Sequence, residues 1–475
     1  MAVEYKILSI SQPKIALETL DKAHLEKADR NNYKMQPAPT EATGAVAPFV
    51  KINDHYINGG DIMSFQVTQN SFLPEISISF IDRDKVFTGV RSPKYKPIMS
   101  VYVKSTHTQL KPFRADFLIT SIKPAYGPTP IYDVRGELYV PNLYNNVSKA
   151  YPDMTSFDAL RKIAEELGLG FASNEEKPND KMTWLSPNIN YKGLIKRIVD
   201  FAYKDDSSFF TCFIDRYYML NYVNVEKIMQ ATDLDETLIG LNQAMLGQTR
   251  LNYSNEKEVD YSTPAIVTNH PNAKQSDGFI ISYGFMSEHG QVLKEEFIRK
   301  RAIWYDHNKE QDILSFFQEP ITRQTPIQGQ EYQLTQLDDF KKGEIVKWLG
   351  IDYHNAHKNY KFARLINDHN NRELDKNLLK VTLRGFNGSL MRGQKVLTAI
   401  FVDRTEQLSI ETNSQDIPSG SLDRSTYVDE YTTGQYYIKE IVYKYRPVGP
   451  ENKNRFVTEL WLARKEWKPS KTFGL

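Results

Sequence analysis

The segment "GQYYIKEIVYKY", Gly434 to Tyr445, closely resembles an earlier segment, "ADFLITSIKPAY", Ala115 to Tyr126. Aligned 319 positions apart (115 and 434), the two have three residues in common, and an aromatic residue of one faces an aromatic residue of the other. The matching pairs are Ile119/Ile438, Ile122/Ile441 and Tyr126/Tyr445, with Phe117 opposite Tyr436. Apolar residues recur at about every second position in both segments, which predicts half-buried β-strands.

The neighbours of these two segments also follow one order. "IMSVYV" (Ile98 to Val103) precedes the first segment and "YDVRGELYV" (Tyr132 to Val140) follows it. "VLTAIFV" (Val396 to Val402) and "FVTELWL" (Phe456 to Leu462) flank the second. Pattern alone leaves two interpretations open, because any two runs of period-two strands look alike: an internal repeat, or a shared strand pattern without duplication.

Length and composition restrict the class of protein. The chain has 475 residues, more than the roughly 250 to 300 at which a single core stops growing, so several domains are expected. Lys and Arg number 60 and Asp and Glu 59, and a net charge of +1 gives no general attraction to nucleic acid or to an anionic membrane. The single cysteine, Cys212, excludes an intrachain disulfide and a cysteine-based metal site. No signal peptide or membrane-spanning run is predicted.

The predicted strands lie on either side of a mixed region. Residues 46–148 contain alternating segments separated by turns rich in Pro, Gly and Lys, which predicts a small antiparallel barrel or sandwich. Residues 346–475 contain the matching strands, interrupted at 405–431 by a polar, turn-rich stretch that we expect to be a surface excursion. The sequence therefore predicts an α+β protein that is mostly antiparallel β.

Between these regions, residues 149–239 change to a helical period. Thr155 and Asp158 have the spacing of a capping box, and Gly168 occupies the place of a left-handed C-cap. A second helix follows, which Asn190 can cap. After it comes "FFTCFIDRYYMLNYVNV", Phe209 to Val225, which predicts a hairpin that turns at Asp215-Arg216.

Two regions give weaker signals. Residues 240–345 are interpreted as a mixed segment that contributes in part to the second barrel, with a hairpin turning near His289-Gly290 and a loop at "QEPITRQTPIQGQEYQ". Residues 1–45 are interpreted as an N-terminal arm with a short helix near Ile15 to Leu25. Two interpretations are open, a disordered leader and an arm that becomes ordered only on a partner, because the breaker-rich part can bury little apolar surface.

The residues that could support chemistry have simpler explanations. His354 and His357 are three apart but lack the further ligands that a metal needs. Asp82 and Asp84 end a strand and are more typical of a charged turn than of a catalytic pair. Cys212 lies within an apolar alternation, which predicts an inert buried thiol. No phosphate-binding loop or nucleophile elbow is found, so we expect no catalytic, cofactor-binding or metal site and no enzyme.

The helix and hairpin of "NINYKGLIKRIVDFAYKDDSSFFTCFIDRYYMLNYVNVEK", Asn188 to Lys227, resemble a segment of bacteriophage contractile-tail baseplate hub proteins. This superfamily includes the late control protein D and the hub part of type VI secretion spike proteins. The strand-rich passages "LLKVTLRGFNGSLMRGQKV" and "PFVKINDHYI" are similar to the closing and opening barrels of those hubs. The resemblance extends from about Pro48 to Trp467.

The resemblance implies two tube-like barrels in one chain, and a homotrimer that joins a sixfold tail tube to a threefold central spike and forms part of the DNA conduit. Its implied partners are the tube protein or a tube-terminal baseplate protein and the central spike, and contacts with wedge proteins stay open. DNA would only pass through, no membrane binding is expected, and the location would be the virion baseplate, assembled in the host cytoplasm. Two alternatives remain: a tail-associated cell-wall hydrolase, and the equivalent hub of a cellular contractile injection system.

Overall fold

The structure is a computed structural model of the full chain. The residues it describes are 7–18, 20, 48–52, 55–83, 87, 97–103, 113–125, 127–205, 207–230, 265–274, 276, 278–286, 299–306, 311–317, 322–324, 331–333, 344–351, 356–374, 378–403, 426–429, 432–446 and 456–464.

Strands are the main elements of the described residues. In the first half they are β1 (Leu8–Ser11), β2 (Phe49–Ile52), β3 (His55–Ile57), β4 (Ile62–Gln69), β5 (Glu75–Ile81), β6 (Ile98–Val103), β7 (Phe113–Ala125), β8 (Ile131–Leu138), β9 (Asn146–Met154), β10 (Gly170–Ser173), β11 (Met182–Asn190), β12 (Phe210–Ile214) and β13 (Met219–Asn224). In the second half they are β14 (Ala265–Thr268), β15 (Ile280–Phe285), β16 (Arg299–Asp306), β17 (Gln311–Phe317), β18 (Thr322–Gln324), β19 (Glu331–Gln333), β20 (Glu344–Ile351), β21 (Leu378–Arg384), β22 (Lys395–Ala399), β23 (Phe401–Asp403), β24 (Thr426–Val428), β25 (Gly434–Tyr445) and β26 (Phe456–Ala463). The α-helices are α1 (Ser156–Glu166), α2 (Tyr191–Asp200), α3 (Val225–Gln230) and α4 (Tyr360–Leu374), and the 3-10 turns are Gly59–Asp61 and Pro271–Ala273.

A single curled sheet organises the described part of the chain. It has 13 strands, and its main path runs β15-β21-β26-β25-β4-β5-β8-β7-β6-β2-β3. Two further strands branch from β25, because β22 pairs with β25 and β14 pairs with β22. The predicted fold class, α+β and mostly antiparallel β with barrel-like domains, is confirmed.

The alternating sequence pattern explains why one face of this sheet is buried. Along β5, the apolar Ile76, Ile78 and Phe80 are buried, while Glu75 before them and Ser77 between them are exposed. Successive strand residues point to opposite faces, so a period of two puts all the apolar residues on the core side. The predicted strands at Ile98 to Val103 and Tyr132 to Val140 are confirmed as β6 and β8, within a few residues.

Residues 149–239 contain the two predicted helices, α1 and α2. Thr155 caps α1 by accepting a hydrogen bond from the Asp158 N–H. Past its end, Gly168 has φ of 71°, and the Leu169 N–H donates to the Ala164 carbonyl at 2.8 Å, which completes a left-handed C-cap. Asn190 caps α2 in the predicted way, accepting from the Gly193 N–H at 2.8 Å. The predicted hairpin is the antiparallel pair β12 and β13.

The weakly patterned region is partly different from the prediction. The passage expected to be a loop contains the antiparallel pair β18 and β19, each three residues long. Strands this short carry no periodic signal, so the prediction of loop was wrong there. β15, the first half of the expected hairpin, pairs with β21, whereas the turn near His289-Gly290 lies outside the described residues.

The N-terminal segment also differs from the prediction. Strand β1 pairs antiparallel with β10, and the Lys14 N–H donates to the Gly168 carbonyl at 2.8 Å. A side chain at Gly170 would meet the Ser11 carbonyl at 2.8 Å, so glycine permits this close approach. Both interpretations of the arm are therefore wrong for residues 7–18, because backbone pairing holds them to the chain's own core. Ile15 starts no helix, and residues 21–47 lie outside the described ones.

The described helices include no segment that is long and apolar enough to cross a membrane. Helix α4 buries Tyr360, Ala363 and Ile366, which are three residues apart and therefore lie on one face.

Candidate functional site

The surface of interest is built from two strand units that have the same order. On the main path, β15-β21-β26-β25 is followed in the same sense by β4-β5-β8-β7. The side branches also correspond, because β6 pairs with β7 as β22 pairs with β25. We call the described strands β2 to β8 repeat one, and β14, β15, β21, β22, β25 and β26 repeat two.

An irregularity in the ladder confirms the alignment of the two opening segments. β7 has a register shift against β8 between Ile119 and Ser121. β25 has the same shift against β26 between Ile438 and Glu440. The two bulges stand at the same 319-residue separation as the sequence match, and a bulge changes which face each later side chain occupies. Of the two interpretations that the sequence leaves open, the matched bulges favour an internal repeat over a shared strand pattern without duplication.

A second matched bulge aligns β4 with β15. β4 shifts against β5 between Ile62 and Ser64, and β15 shifts against β21 between Ile280 and Ser282. The segments "IMSFQVT" and "IISYGFM" thus correspond at a separation of 218 positions (62 and 280). This second sequence match was missed in the sequence analysis, because only two of its seven residues are identical and it lies in a weakly patterned region.

Within the chain, the two repeats join through β25 and β4. They pair antiparallel, with Ile441 opposite Gln69, Tyr443 opposite Val67 and Tyr445 opposite Phe65. All the apolar side chains of this junction are buried. The sheet therefore passes from one repeat to the other without a break, and the core is shared.

The turn of the β12–β13 hairpin contacts both repeats. Tyr218 Oη accepts from the Asp116 N–H at 2.9 Å and donates to the Asp116 carbonyl at 3.2 Å, on β7 of repeat one. Two residues earlier, buried Arg216 donates to Tyr443 Oη, on β25 of repeat two, and to the Gly388 carbonyl. The Arg216 guanidinium also lies 5.1 Å from the centre of the Tyr443 ring. Sequence reasoning placed Arg216 only at a hairpin turn, and nothing in the local pattern shows its distant partners.

Burial governs the titration of the polar groups here. It raises the pKa of the Tyr443 phenol to about 12, and it also raises the pKa of Tyr218. Both hydroxyls therefore stay protonated near neutral pH and act as hydrogen-bonding groups. The contacts that the hairpin turn makes with the two repeats are therefore structural.

The side chains that were considered for chemistry, Cys212 and His357 among them, are packed in the interior as structural residues. Burial raises the pKa of the Cys212 thiol, which disfavours the nucleophilic thiolate. His357 is buried against Trp184, Tyr203 and Tyr360, its Nε2 lies 3.0 Å from the Phe201 carbonyl, and burial lowers its pKa.

The remaining candidates are explained in the same way. Asp82 Oδ2 accepts from the Phe87 N–H at 2.8 Å, as a turn residue does. His354 and Asp84 lie outside the described residues. In the described part of the chain, no group of three or more His, Cys, Asp or Glu side chains could hold a metal ion.

No family model and no curated protein matches the chain. Among solved structures, it is similar to a tail protein from Neisseria meningitidis MC58, with 10% identity and a TM-score of 0.48, over 89% of this chain and 98% of that one. It is also similar to the 43 kDa tail protein of prophage MuSo2 from Shewanella oneidensis, with 8% identity and a TM-score of 0.47, over 88% and 98% of the two chains. The half-lidded Francisella PdpA-VgrG complex is similar with 11% identity and a TM-score of 0.39, over 90% of this chain and 60% of that one. The similar structures are thus described as tail proteins and as a PdpA-VgrG complex.

Proposed function

We propose that this chain is a central hub protein of a contractile-tail baseplate. Three copies would form a ring that joins a sixfold tail tube to a threefold spike and encloses part of the DNA conduit. The observation that carries the proposal is the internal repeat: two units with one strand order and two matched bulges lie side by side in a continuous sheet.

The internal repeat would match the sixfold symmetry of the tube to the threefold symmetry of the spike. A ring that stacks on a sixfold tube must present six similar surfaces, while a threefold spike binds three identical subunits. Three chains with two repeats each meet both requirements. A chain with one such unit would need a separate adaptor.

The charge of the chain suits a conduit. Its net charge is +1, so its overall charge provides little general attraction for DNA phosphates. A strongly basic bore would hold the polyanion by releasing its counterions, whereas a near-neutral one lets it pass.

The proposed partners follow from the ring. One face would contact the tube protein or a tube-terminal baseplate protein, the opposite face would contact the spike, and wedge contacts are left open. The protein would be located in the virion tail after assembly in the host cytoplasm. A zymogram on purified peptidoglycan addresses the hydrolase alternative, and we expect no clearing.

A cryo-electron map of the assembled particle tests the proposal. We expect three chains around one axis, with repeat one of each chain beside repeat two of the next. The contacts between chains should resemble obligate interfaces, on the order of 2,000 Å² or more in total. A map with six copies of the chain around the axis would contradict the symmetry argument.

A further inference from the structure

The N-terminal segment lies along a groove that crosses three parts of the molecule. We call residues 7–18 the strap and residues 149–230 the middle region. Within the strap, β1 pairs antiparallel with β10, and β10 pairs parallel with β13 on its other side. The strand order of this sheet is β1-β10-β13-β12, so the strap covers what would otherwise be the edge of the sheet of the middle region.

The first end of the strap is packed against repeat two. Ile7 is only 3% exposed and belongs to an apolar cluster to which the middle region and repeat two both contribute. A side chain at Gly393 would meet the Ile7 Cδ1 atom at 3.2 Å, so glycine leaves room for the strap here. The Gly393 N–H donates to the Ile438 carbonyl at 2.9 Å, which holds this part of the groove to β25.

The other end of the strap is held by charged groups of repeat one. The Glu18 N–H donates to Asp116 Oδ2 at 2.6 Å, and Arg114 donates to the Glu18 carbonyl. Arg114 Nη1 also lies 2.7 Å from Asp116 Oδ1. Both holding residues lie on β7, and Asp116 is buried. Hydrogen bonds to charged groups are stronger than those between neutral ones, so this end is clamped by an acceptor and a donor.

Between its two ends, the strap runs close to the backbone of the middle region. A side chain at Gly170 would meet the Ser11 carbonyl at 2.8 Å and Pro13 Cδ at 2.9 Å. The Lys14 N–H donates to the Gly168 carbonyl at 2.8 Å. The groove is therefore shaped for an extended backbone that approaches more closely than a side chain would allow.

We propose that the groove along β10 is an acceptor site for an extended strand, and that the strap, by filling it, fixes the middle region against both repeats. The ligand is a segment of this chain with apolar side chains at alternate positions. Ile15 and Leu17 are half-buried against the core that the repeats share, whereas Ala16 and Glu18 are exposed, as a strand lying on a surface requires. The site requires neither a ring nor a tube, so it stands apart from the proposed function.

Hydrogen exchange of the full chain tests whether the strap acts as one unit. Ile7→Ala removes the packing at its first end. We expect the Lys14 and Glu18 N–H groups to exchange faster by about tenfold or more, because a strap released at one end opens along its length. The Phe171 N–H, which donates to Ser11 Oγ at 3.1 Å, should follow them. Faster exchange confined to the residues beside Ile7 would overturn the proposal.

The matched control is Ile228→Ala, which truncates a buried isoleucine of the same apolar cluster on α3. In this variant the exchange of the Lys14 and Glu18 N–H groups should stay within about twofold of the wild type. If Ile228→Ala released these groups as much as Ile7→Ala does, the segment would open only together with the cluster. A separate strap would then be wrong.

A synthetic peptide with the sequence of residues 7–18 tests the acceptor site. Added to a chain that lacks residues 1–18, it should bind and slow the exchange of the Phe171 N–H by about tenfold. A peptide of the same composition in scrambled order should do neither. If the truncated chain is folded by circular dichroism but binds neither peptide, or binds both equally, the acceptor site is wrong. If the truncated chain does not fold, the comparison of Ile7→Ala with Ile228→Ala in the full chain decides the proposal.

Discussion

The two repeats share their strand path and both bulges, but they differ in the burial of two corresponding strands. β4 is buried at the junction while its counterpart β15 is exposed. The end of β25 is buried while the end of β7 is exposed. The difference shows that the repeats are equivalent in their internal pairing and unequal in what covers their edges.

The repeats also differ in how the chain enters them and in what they carry. β2 runs antiparallel to β6, whereas its counterpart β14 runs parallel to β22. The short turn between β4 and β5, residues 70–74, corresponds to a long insertion between β15 and β21 that contains β16 to β20 and α4. Insertions at turns leave the ladder unchanged, because connections lie outside the packed strands.

The largest effect is expected from truncating the same position in each repeat. Phe65→Ala should lower the free energy of unfolding by about 3–5 kcal/mol, because it empties a buried site at the junction. Tyr283→Ala, its counterpart, should change the free energy of an isolated chain by less than about 1 kcal/mol, since its side chain is exposed. Urea unfolding at one pH measures both. Equal losses would mean that the two edges are covered to the same extent.

The free energy of unfolding should depend on pH through Asp180, which lies in the region that both repeats contact. Burial raises the pKa of Asp180 to about 6, although its carboxylate accepts from the Ser156 and Tyr203 N–H groups at 2.9 and 3.0 Å. When the pKa of a carboxyl is higher in the folded state than in the unfolded state, the group adds to the free energy of unfolding at low pH. This contribution is full below the unfolded pKa, near 4, and is lost as the pH rises through the folded pKa, about 6. A shift of about two pKa units corresponds to about 3 kcal/mol.

The variant Asp180→Asn removes the titrating carboxyl and so measures its contribution. Between pH 4 and pH 7, the unfolding free energy of the wild type should fall relative to that of the variant by about 3 kcal/mol. Urea unfolding across that pH range measures the difference between the two slopes. If the unfolding free energies of the two proteins ran parallel with pH, Asp180 would have an ordinary pKa. The stabilities of variants in the two repeats could then be compared without fixing the pH.

A smaller effect should distinguish one aligned pair of strand residues. Gly434 has φ of 151°, a conformation that only glycine adopts readily, and a side chain there would meet Arg464 Nη1 at 2.9 Å. Its counterpart in repeat one is Ala115. Gly434→Ala should therefore cost about 2–3 kcal/mol, whereas the reverse change, Ala115→Gly, should cost about 1 kcal/mol. Thermal melting of the two variants gives the order, and the opposite order would contradict the strain at Gly434.

The sequence predicted the elements better than their long-range pairing. Period-two alternation located the strands, and the caps at Thr155 and Asn190 located the helices, because those signals are local. The 319-residue offset between the two similar segments is also the separation of the matched bulges in β7 and β25, although the sequence did not predict the bulges themselves. The β4–β25 junction could not be predicted, because pairing between distant strands leaves no mark on either one. Arg216 was missed for a related reason, since an arginine in a hairpin turn is most often exposed.

The last prediction concerns the hairpin turn, which should hold each repeat through a different tyrosine. Tyr218→Phe removes two hydrogen bonds to Asp116 on β7, and Tyr443→Phe removes a bond to the Leu390 carbonyl at 3.1 Å and the contact with Arg216. Each change keeps the ring and its packing, so each should cost only about 1–2 kcal/mol, the net value of one or two hydrogen bonds.

Hydrogen exchange separates the two contacts where global stability cannot. Tyr218→Phe should speed the exchange of backbone amides in β7, and Tyr443→Phe should do so in β25, because each variant loosens the strand that loses its bond. Since the two contacts involve different strands, their costs should add within about 0.5 kcal/mol in the double variant. If either single change loosened both strands equally, the turn would couple the repeats as one unit, and their edges could not be compared independently.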